Sequence, residues 1–367
     1  MTGEVPAPYA GRLWRREAID GIVHHWVWTP GGIHRSRLHR LANYAVFAVA
    51  AGLRAAALAR PDVVLVSSPP LTVGPLGPFL ARRFGCPWLL EVRDIWPESA
   101  VSVGWLHGDG RLYALLETLA RRLAAGARAV VVPTPGLEPL VRAHGARRVV
   151  TLTGIVEPRP PDPRRRAAVR ERLGVSDAEC VFLYLGAIGV ANGLDLLVEA
   201  VGMLPADVPA RVVIAGDGSA RRALESAVAE HADRIVLLPP LPKDEVDGVV
   251  AAADVGLHLL RPDRIFESAL PTKVLDYLGA GLPFLTTTAG IPAEVAGASG
   301  GSFAATVGEL AAELERWARM DPAELTARGA RARSYGAAHF GLEESVTRLE
   351  RLFEEVLEPV ALAAATP

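Results

Sequence analysis

"LYLGAIGVANGLDLLVEAV", residues 183–201, is the stretch whose reading decides the fold. A strand ends in Gly186, two residues pass, Gly189 follows, and a helix starts near Ala191 to Gly193. A turn of this kind sets backbone N–H groups and a helix N-terminus at the carboxyl edge of a parallel sheet, where a phosphate is held without any side chain. The spacing is G-x-x-G with a third glycine at 193, so it is not the dinucleotide fingerprint G-x-G-x-x-G. Tight βα turns also need glycine for structural reasons alone, and the chemistry has to be sought in neighbouring segments.

The same grammar repeats along the chain. Before this stretch, strands are expected in "IVHHWVW" (22–28), "DVVLVSS" (62–68), "PWLLEV" (87–92), "ARAVVV" (127–132) and "RRVVTLT" (147–153), with helical segments between them. After it come "ARVVIAG" (210–216), "RIVLLP" (234–239), "DVGLHLL" (254–260) and "PFLTT" (283–287). Alternating β and α segments mean parallel, doubly wound sheets. The proline-rich, charged "GIVEPRPPDPRRR" (154–166) reads as a linker between two such sets. The expected division is a first α/β domain over 1–153, the linker, a second over 167–340, and a C-terminal helix over 341–367 packing back towards the first domain. A cleft lies between the two domains. The tail from Val307 to about Val360 reads as helical throughout.

Composition narrows the function classes. A chain of 367 residues is long enough for two cores, and a net charge of -2 with 6% aromatics gives no support for nucleic-acid binding. Only Cys86 and Cys180 occur, both beside apolar runs, which suits buried thiols in a reducing compartment and no metal site. No signal-peptide core opens the chain, so it reads as cytoplasmic. The segment 37–60 is interrupted by Arg54 and is mostly alanine; it reads as a covering helix, with peripheral contact at the inner membrane face as the minority reading. Of 39 basic residues just two are lysines, Lys243 and Lys273, which marks a lysine in this background as worth weighing.

The most informative motif is "ESALPTKVLDYLGAGLPFL", 267–285. Pro271 suits a first helical turn, and Thr272, Lys273 and Asp276 follow within about one and a half turns. A lysine at the positive end of a helix is locally unfavourable, and a bound anion is the simplest compensation. A carboxylate at Asp276 has the chemistry to accept two ribose hydroxyls; a solvated i, i+3 pair of Lys273 with Asp276 is the structural alternative. "IAGDGSARRALE" (214–225) adds a second strand, Gly216-Asp217-Gly218 turn and helix at the same crevice, with Ser219 as N-cap. In the first half, "EVRDIWPESAVSVG" (91–104) brings Arg93, Asp94 and Glu98 to the mouth of a sheet, where an Arg93 to Asp94 ion pair is the structural alternative. "SSPPLTVGPLG" (67–77) does the same with Ser68 and Pro69. His24 and His25 lie in an expected strand whose alternation buries one and exposes the other. There is no D-x-D clamp, P-loop, H-E-x-x-H or G-x-S-x-G.

Taken in order, "SSPPLTVG", "EVRDIWPESA", "LYLGAIGVANGLDLL", "IAGDG" and "ALPTKVLDYLGAGLPF" resemble the GT-B glycosyltransferases, in particular the retaining family 4 and its bacterial surface-polysaccharide branch of N-acetylfucosamine type. The resemblance covers residues 11 to 355. It implies two Rossmann-like domains and a metal-independent transfer of a sugar from a nucleoside diphosphate, UDP first, to a glycan or lipid-linked acceptor with retained configuration. No cofactor beyond the nucleotide-sugar is implied. On the donor side it implies Gly186, Ala187, Gly189, Gly216, Asp217, Pro271 and Thr272 around the diphosphate, Lys273 as its counter-charge, Asp276 at the ribose, Glu267 at the sugar and Leu241 at the base. On the acceptor side it implies Arg93 and Asp94 nearest the reaction, with Ser68, Pro69 and Glu98.

Three departures stand out. Glu267 and Asp276 are separated by eight residues where the family has two glutamates separated by seven. Val190 replaces a basic residue, and Arg93 replaces a histidine. Relatives also open with a strand, a glycine-rich acceptor loop, a helix and a second strand, on the order of 30 or more residues. Without them the first domain is incomplete with an exposed sheet edge, unless the start lies upstream of Met1. A nucleotide-sugar 2-epimerase and an inactive shortened paralogue stay open as alternatives; a dehydrogenase is disfavoured.

Overall fold

The β-branched runs build two parallel sheets, each sheathed by helices. The computed structural model describes residues 11–30 and 36–358. Its strands are β1 (Trp14–Ile19), β2 (Ile22–Val27), β3 (Val64–Ser68), β4 (Trp88–Val92), β5 (Ala129–Val132), β6 (Val149–Thr151), β7 (Cys180–Leu185), β8 (Ala210–Ala215), β9 (Ile235–Leu238), β10 (Val255–His258), β11 (Phe284–Thr286) and β12 (Ser302–Phe303). Its helices are α1 (Arg37–Ala56), α2 (Leu76–Phe84), α3 (Glu98–Ser102), α4 (Arg111–Gly126), α5 (Glu138–Ala143), α6 (Pro163–Arg172), α7 (Leu194–Gly202), α8 (Arg221–Val228), α9 (Lys243–Ala252), α10 (Thr272–Ala280), α11 (Ile291–Ala298), α12 (Val307–Ala318), α13 (Pro322–His339) and α14 (Leu342–Leu357).

The first sheet runs β3-β4-β5-β6, and the second runs β12-β11-β10-β7-β8-β9. Every pair in both is parallel, with Leu89 beside Ala129 in the first and Leu183 flanked by Val213 and Gly256 in the second. All six residues of β7 and all four of β5 are buried, as strands covered on both faces must be. In the second sheet the winding reverses between β7 and β10, and the carboxyl ends of those two strands open a crevice.

One expected strand does not join a sheet of this kind. "IVHHWVW" forms β2, which pairs antiparallel with β1 in a separate hairpin, Trp14 opposite Val27. β1 is "WRREAI", too charged to read as a strand alone, and the Asp20-Gly21 turn closes the pair. The expected burial of one histidine and exposure of the other fails with it: His24 and His25 are both half-buried, and His25 Nδ1 accepts a hydrogen bond from Arg54 of α1 at 3.2 Å. Helix α1 covers the first domain beside this hairpin and leaves Leu41, Val49 and Leu53 exposed. Among the described residues no helix is long and apolar enough to cross a membrane.

Two devices tie the parts together. The expected linker is extended through Asp162, which caps α6 by accepting the Arg165 N–H at 3.0 Å, so residues 163–166 are already helical. Arg170 of α6 is 2% exposed and donates to Ala252 O, Ser176 O and the Asp254 carboxylate, which also takes Arg166 and the amide of Val181. That network fastens α6 to the starts of β7 and β10. At the other end α14 lays Leu352 and Val356 against Leu89, Ala129 and Val131 of the first sheet. Two fully buried aliphatic side chains contribute about 1.5–3 kcal/mol each. The C-terminal helix is therefore packed on the first sheet, while α12 and α13 cover the second.

Candidate functional site

Helix α10 presents its N-terminus to the crevice between β7 and β10. Pro271 is its N-cap, outside the helix proper, with φ -66° and ψ 149°, and no side chain caps the first turn. Among the described residues the amides of Thr272 and Lys273 accordingly find no acceptor, whereas Val274 N–H is returned to Pro271 O at 3.0 Å. Val274, Leu275, Tyr277 and Leu278 bury the other face, and Gly281 ends the helix in the left-handed region. Tyr277 lies where a side chain at Gly256 would sit, and its hydroxyl ties β7 to β10 through Leu183 O and Leu257 O.

Lys273 crosses from this turn to β7. Its Nζ stands 3.9 Å from the centre of the Tyr184 ring and beside Gly186, and it forms no ion pair among the described residues. Burial pulls the ammonium down to about 7. A desolvated cation with no acid beside it, at the positive end of a helix, suits the binding of an anion. The i, i+3 pair, the structural alternative to a site, does not form: Asp276 turns to the linker, where Arg159 Nη2 donates to its Oδ1 at 2.7 Å, with Asp247 on the other side of the same guanidinium.

The glycine turns stack on each other rather than lining up open amides. Gly186 N–H goes to Ala215 O, Ile188 N–H to Asp217 O, and Gly189 N–H to Asn192 Oδ1, while Tyr184 O–H donates to Ala187 O. Of the turn 186–189, the Ala187 amide alone stays open. Contact is so close that a Cβ at Gly216 would lie 1.8 Å from Gly186 O. Asp217 turns its carboxylate onto the Gly218 amide, and Ser219 caps nothing, because α8 begins at Arg221 after Ala220. Val190 is exposed. Leu241 lies between β9 and α9, half-buried against the same core as α10.

Glu267 sits in a 3-10 turn, half-buried, with its backbone pressed on Gly290 and its carboxylate without a hydrogen bond. That turn is also where the two domains meet. Thr134 Oγ1 donates to Ser268 O, and Gly136 approaches so closely that a Cβ there would stand 2.9 Å from the Ser268 backbone.

In the first domain Arg93 and Asp94 are exposed after β4, and they form no ion pair; the Arg93 amide donates to Ser68 O at 2.9 Å. The packed surroundings raise the Asp94 carboxyl, with Arg93 working against them. Ser68 is buried and Pro69 exposed. Glu98 is held inside its own domain by His144, Nε2 to Oε1 at 3.3 Å; burial pushes its carboxyl up most, but His144, a backbone hydrogen bond and the charge of Arg121 together hold it low. Neither Arg159 nor His144 was read from the sequence. Each is an isolated basic residue whose partner lies far away in the chain, and no local spacing signals it. Among the described residues no three His, Cys, Asp or Glu side chains are grouped to hold a metal.

Comparison with known proteins agrees with this architecture. Residues 4–153 match the family described as glycosyl transferase 4-like domain, and residues 179–319 match glycosyl transferases group 1. The probable glycosyltransferase WbjE of Pseudomonas aeruginosa is 29% identical over 238 residues, 62% of this chain and 57% of that protein. The chain thus spans little more than half the length of that relative. A putative colanic acid biosynthesis glycosyl transferase, WcaI of Escherichia coli, is 25% identical over 284 residues, 73% of this chain and 68% of that one. Among solved structures, Anabaena Alr3699/HepE in complex with UDP-glucose superposes with a TM-score of 0.67 at 16% identity, over 88% of this chain and 84% of that one.

Proposed function

We propose that this chain, whose halves match the 4-like and group 1 glycosyltransferase families, moves a sugar from a nucleoside diphosphate to an acceptor hydroxyl. The observation that carries the reading is Lys273: a cation without an acid, beside two open amides at the uncapped start of α10, on the crevice of the second sheet. A leaving diphosphate develops negative charge, and preorganised donors aimed at it lower the barrier most in a water-poor site. Lys273, the Thr272 and Lys273 amides and the Ala187 amide supply such donors without a metal ion.

The finer assignments rest on the family resemblance and on this geometry together. UDP is the first nucleotide to test, since HepE was solved with UDP-glucose. Glu267, with a free carboxylate, faces the sugar. Asp276 holds the ribose through Oδ2 while Arg159 keeps Oδ1. Leu241 borders the base. Arg93 and Asp94 stand on the acceptor side, and closure through Ser268, Thr134 and Gly136 excludes water. A role in surface polysaccharide accords with the likeness to a putative colanic acid biosynthesis glycosyl transferase; retention of configuration and a glycan or lipid-linked acceptor rest on the family resemblance. The named relatives are transferases, and nothing favours the epimerase reading. Replacing Lys273 by Ala is expected to cut transfer from a UDP-sugar at least a hundredfold with the fold intact; unchanged turnover overturns the reading.

A further inference from the structure

His258, the last residue of β10, is 1% exposed, and nothing in the sequence reading or the family resemblance assigns it a role. Its Nδ1 lies 2.9 Å from Thr286 Oγ1 on the neighbouring strand. The Thr286 oxygen already accepts the Thr288 N–H at 3.0 Å, and its own proton has no other acceptor within reach among the described residues. Thr286 therefore donates to Nδ1, and the imidazole proton sits on Nε2. That Nε2 is buried without a partner, and so is Thr288 Oγ1. Burial first, and the Lys273 ammonium second, pull the imidazole down to about 3, so it is neutral at any working pH.

Gly256 and His258 share one face of β10, and Tyr277 stands over Gly256, so His258 faces α10 about one turn nearer the helix start, at Lys273; Thr288 bonds the same Thr286 hydroxyl that holds the ring. Lys273 Nζ, the Thr272 and Lys273 amides, His258 Nε2–H and the Thr288 hydroxyl can all donate, and among the described residues no acidic side chain pairs with Lys273. Leaving one buried donor unsatisfied costs about 1–3 kcal/mol, and natural interiors seldom leave several together without a ligand. We propose that His258 is a donor-site residue: its Nε2–H donates a hydrogen bond to an oxygen of the diphosphate that Lys273 holds, and so selects for a diphosphate over an uncharged nucleoside. This rests on reading the start of α10 as the nucleotide-sugar site.

The test uses the full chain with UDP, inorganic pyrophosphate and uridine as probes in calorimetric titrations. His258→Leu is expected to weaken UDP and pyrophosphate by about tenfold or more, the usual worth of a hydrogen bond to a charged group, and to leave uridine unchanged. His258→Gln, which restores an N–H donor, is expected to recover part of the loss. Nitrogen-15 NMR of the histidines is expected to show Nε2 protonated, with its proton moving downfield when UDP is added. If wild type binds UDP and His258→Leu binds it equally well while remaining folded, the inference falls and the donor site stands. Equal weakening of UDP and uridine, or an NMR signal unmoved by UDP, also overturns it by reducing His258 to packing. If wild type binds neither UDP nor pyrophosphate, the donor-site reading itself is what has failed.

Discussion

Replacing Lys273 by Met should stabilise the empty protein and abolish its response to UDP. In the unfolded chain the lysine keeps its proton to about the ordinary 10.5, whereas in the folded protein burial releases it from about 7. Between those values the unfolded state binds more protons, so the stability of wild type rises with pH. The penalty is full below pH 7 and vanishes near 10.5. Taken at face value it amounts to about 5 kcal/mol, but the side chain keeps partial solvent access and its hold on the Tyr184 ring returns some of it. A net gain of about 1–3 kcal/mol below pH 7 is the expectation, a rise of about 3–8 °C in the melting of the second domain. The assay is thermal melting of both proteins at pH 6, 7 and 9, with and without UDP. Wild type should gain several degrees from UDP, less at pH 9 than at pH 6, because binding must then recharge the lysine. The variant should start higher and gain nothing. A variant that melts below wild type at pH 6 and still responds to UDP would refute the reasoning.

Three further outcomes follow from the packing. Gly216→Ala would force a Cβ to 1.8 Å from Gly186 O, so the two glycine turns must part; UDP affinity should fall by more than tenfold and the melting point with it, which calorimetry and circular dichroism measure together. Arg170→Met leaves Asp254 with Arg166 and the Val181 amide and strips three carbonyls, those of Ala252, Ser176 and Glu179, of a donor, and chemical denaturation should show a loss of about 3–5 kcal/mol. Gly136→Val should hold the domains apart at Ser268, lowering kcat for transfer while UDP affinity stays at the wild-type level.

Much of the fold was legible because parallel strands buried on both faces read as unbroken β-branched runs; β5 and β7 needed no partner to be recognised. β12 was not, since two residues carry no pattern, and β1 sets three consecutive charged residues, Arg15, Arg16 and Glu17, at its centre in a hairpin that rests on α1 rather than on a core. At the site, Lys273 stood out through the near absence of lysine and the Pro-Thr-Lys start of a helix. What surrounds it did not. The spacing left Asp276 either at a ribose or, as the structural alternative, paired with Lys273, and it gave no sign of Arg159 of the linker, to which the aspartate goes. Of the four amides in the 186–189 turn, two are spent on the 215–217 turn, 29 residues further along the chain, and a third on Asn192. Side-chain direction across such distances is a property of packing, and periodicity does not encode it.

The central claim is that an anion belongs at the start of α10. A crystal structure of the full chain with UDP tests it most directly. The account predicts diphosphate oxygens on Lys273 Nζ and the Thr272 and Lys273 amides, over Ala187. A diphosphate held instead by the arginines 159, 165, 166 and 333, which line the groove of about 1170 Å³ behind the linker, would contradict it.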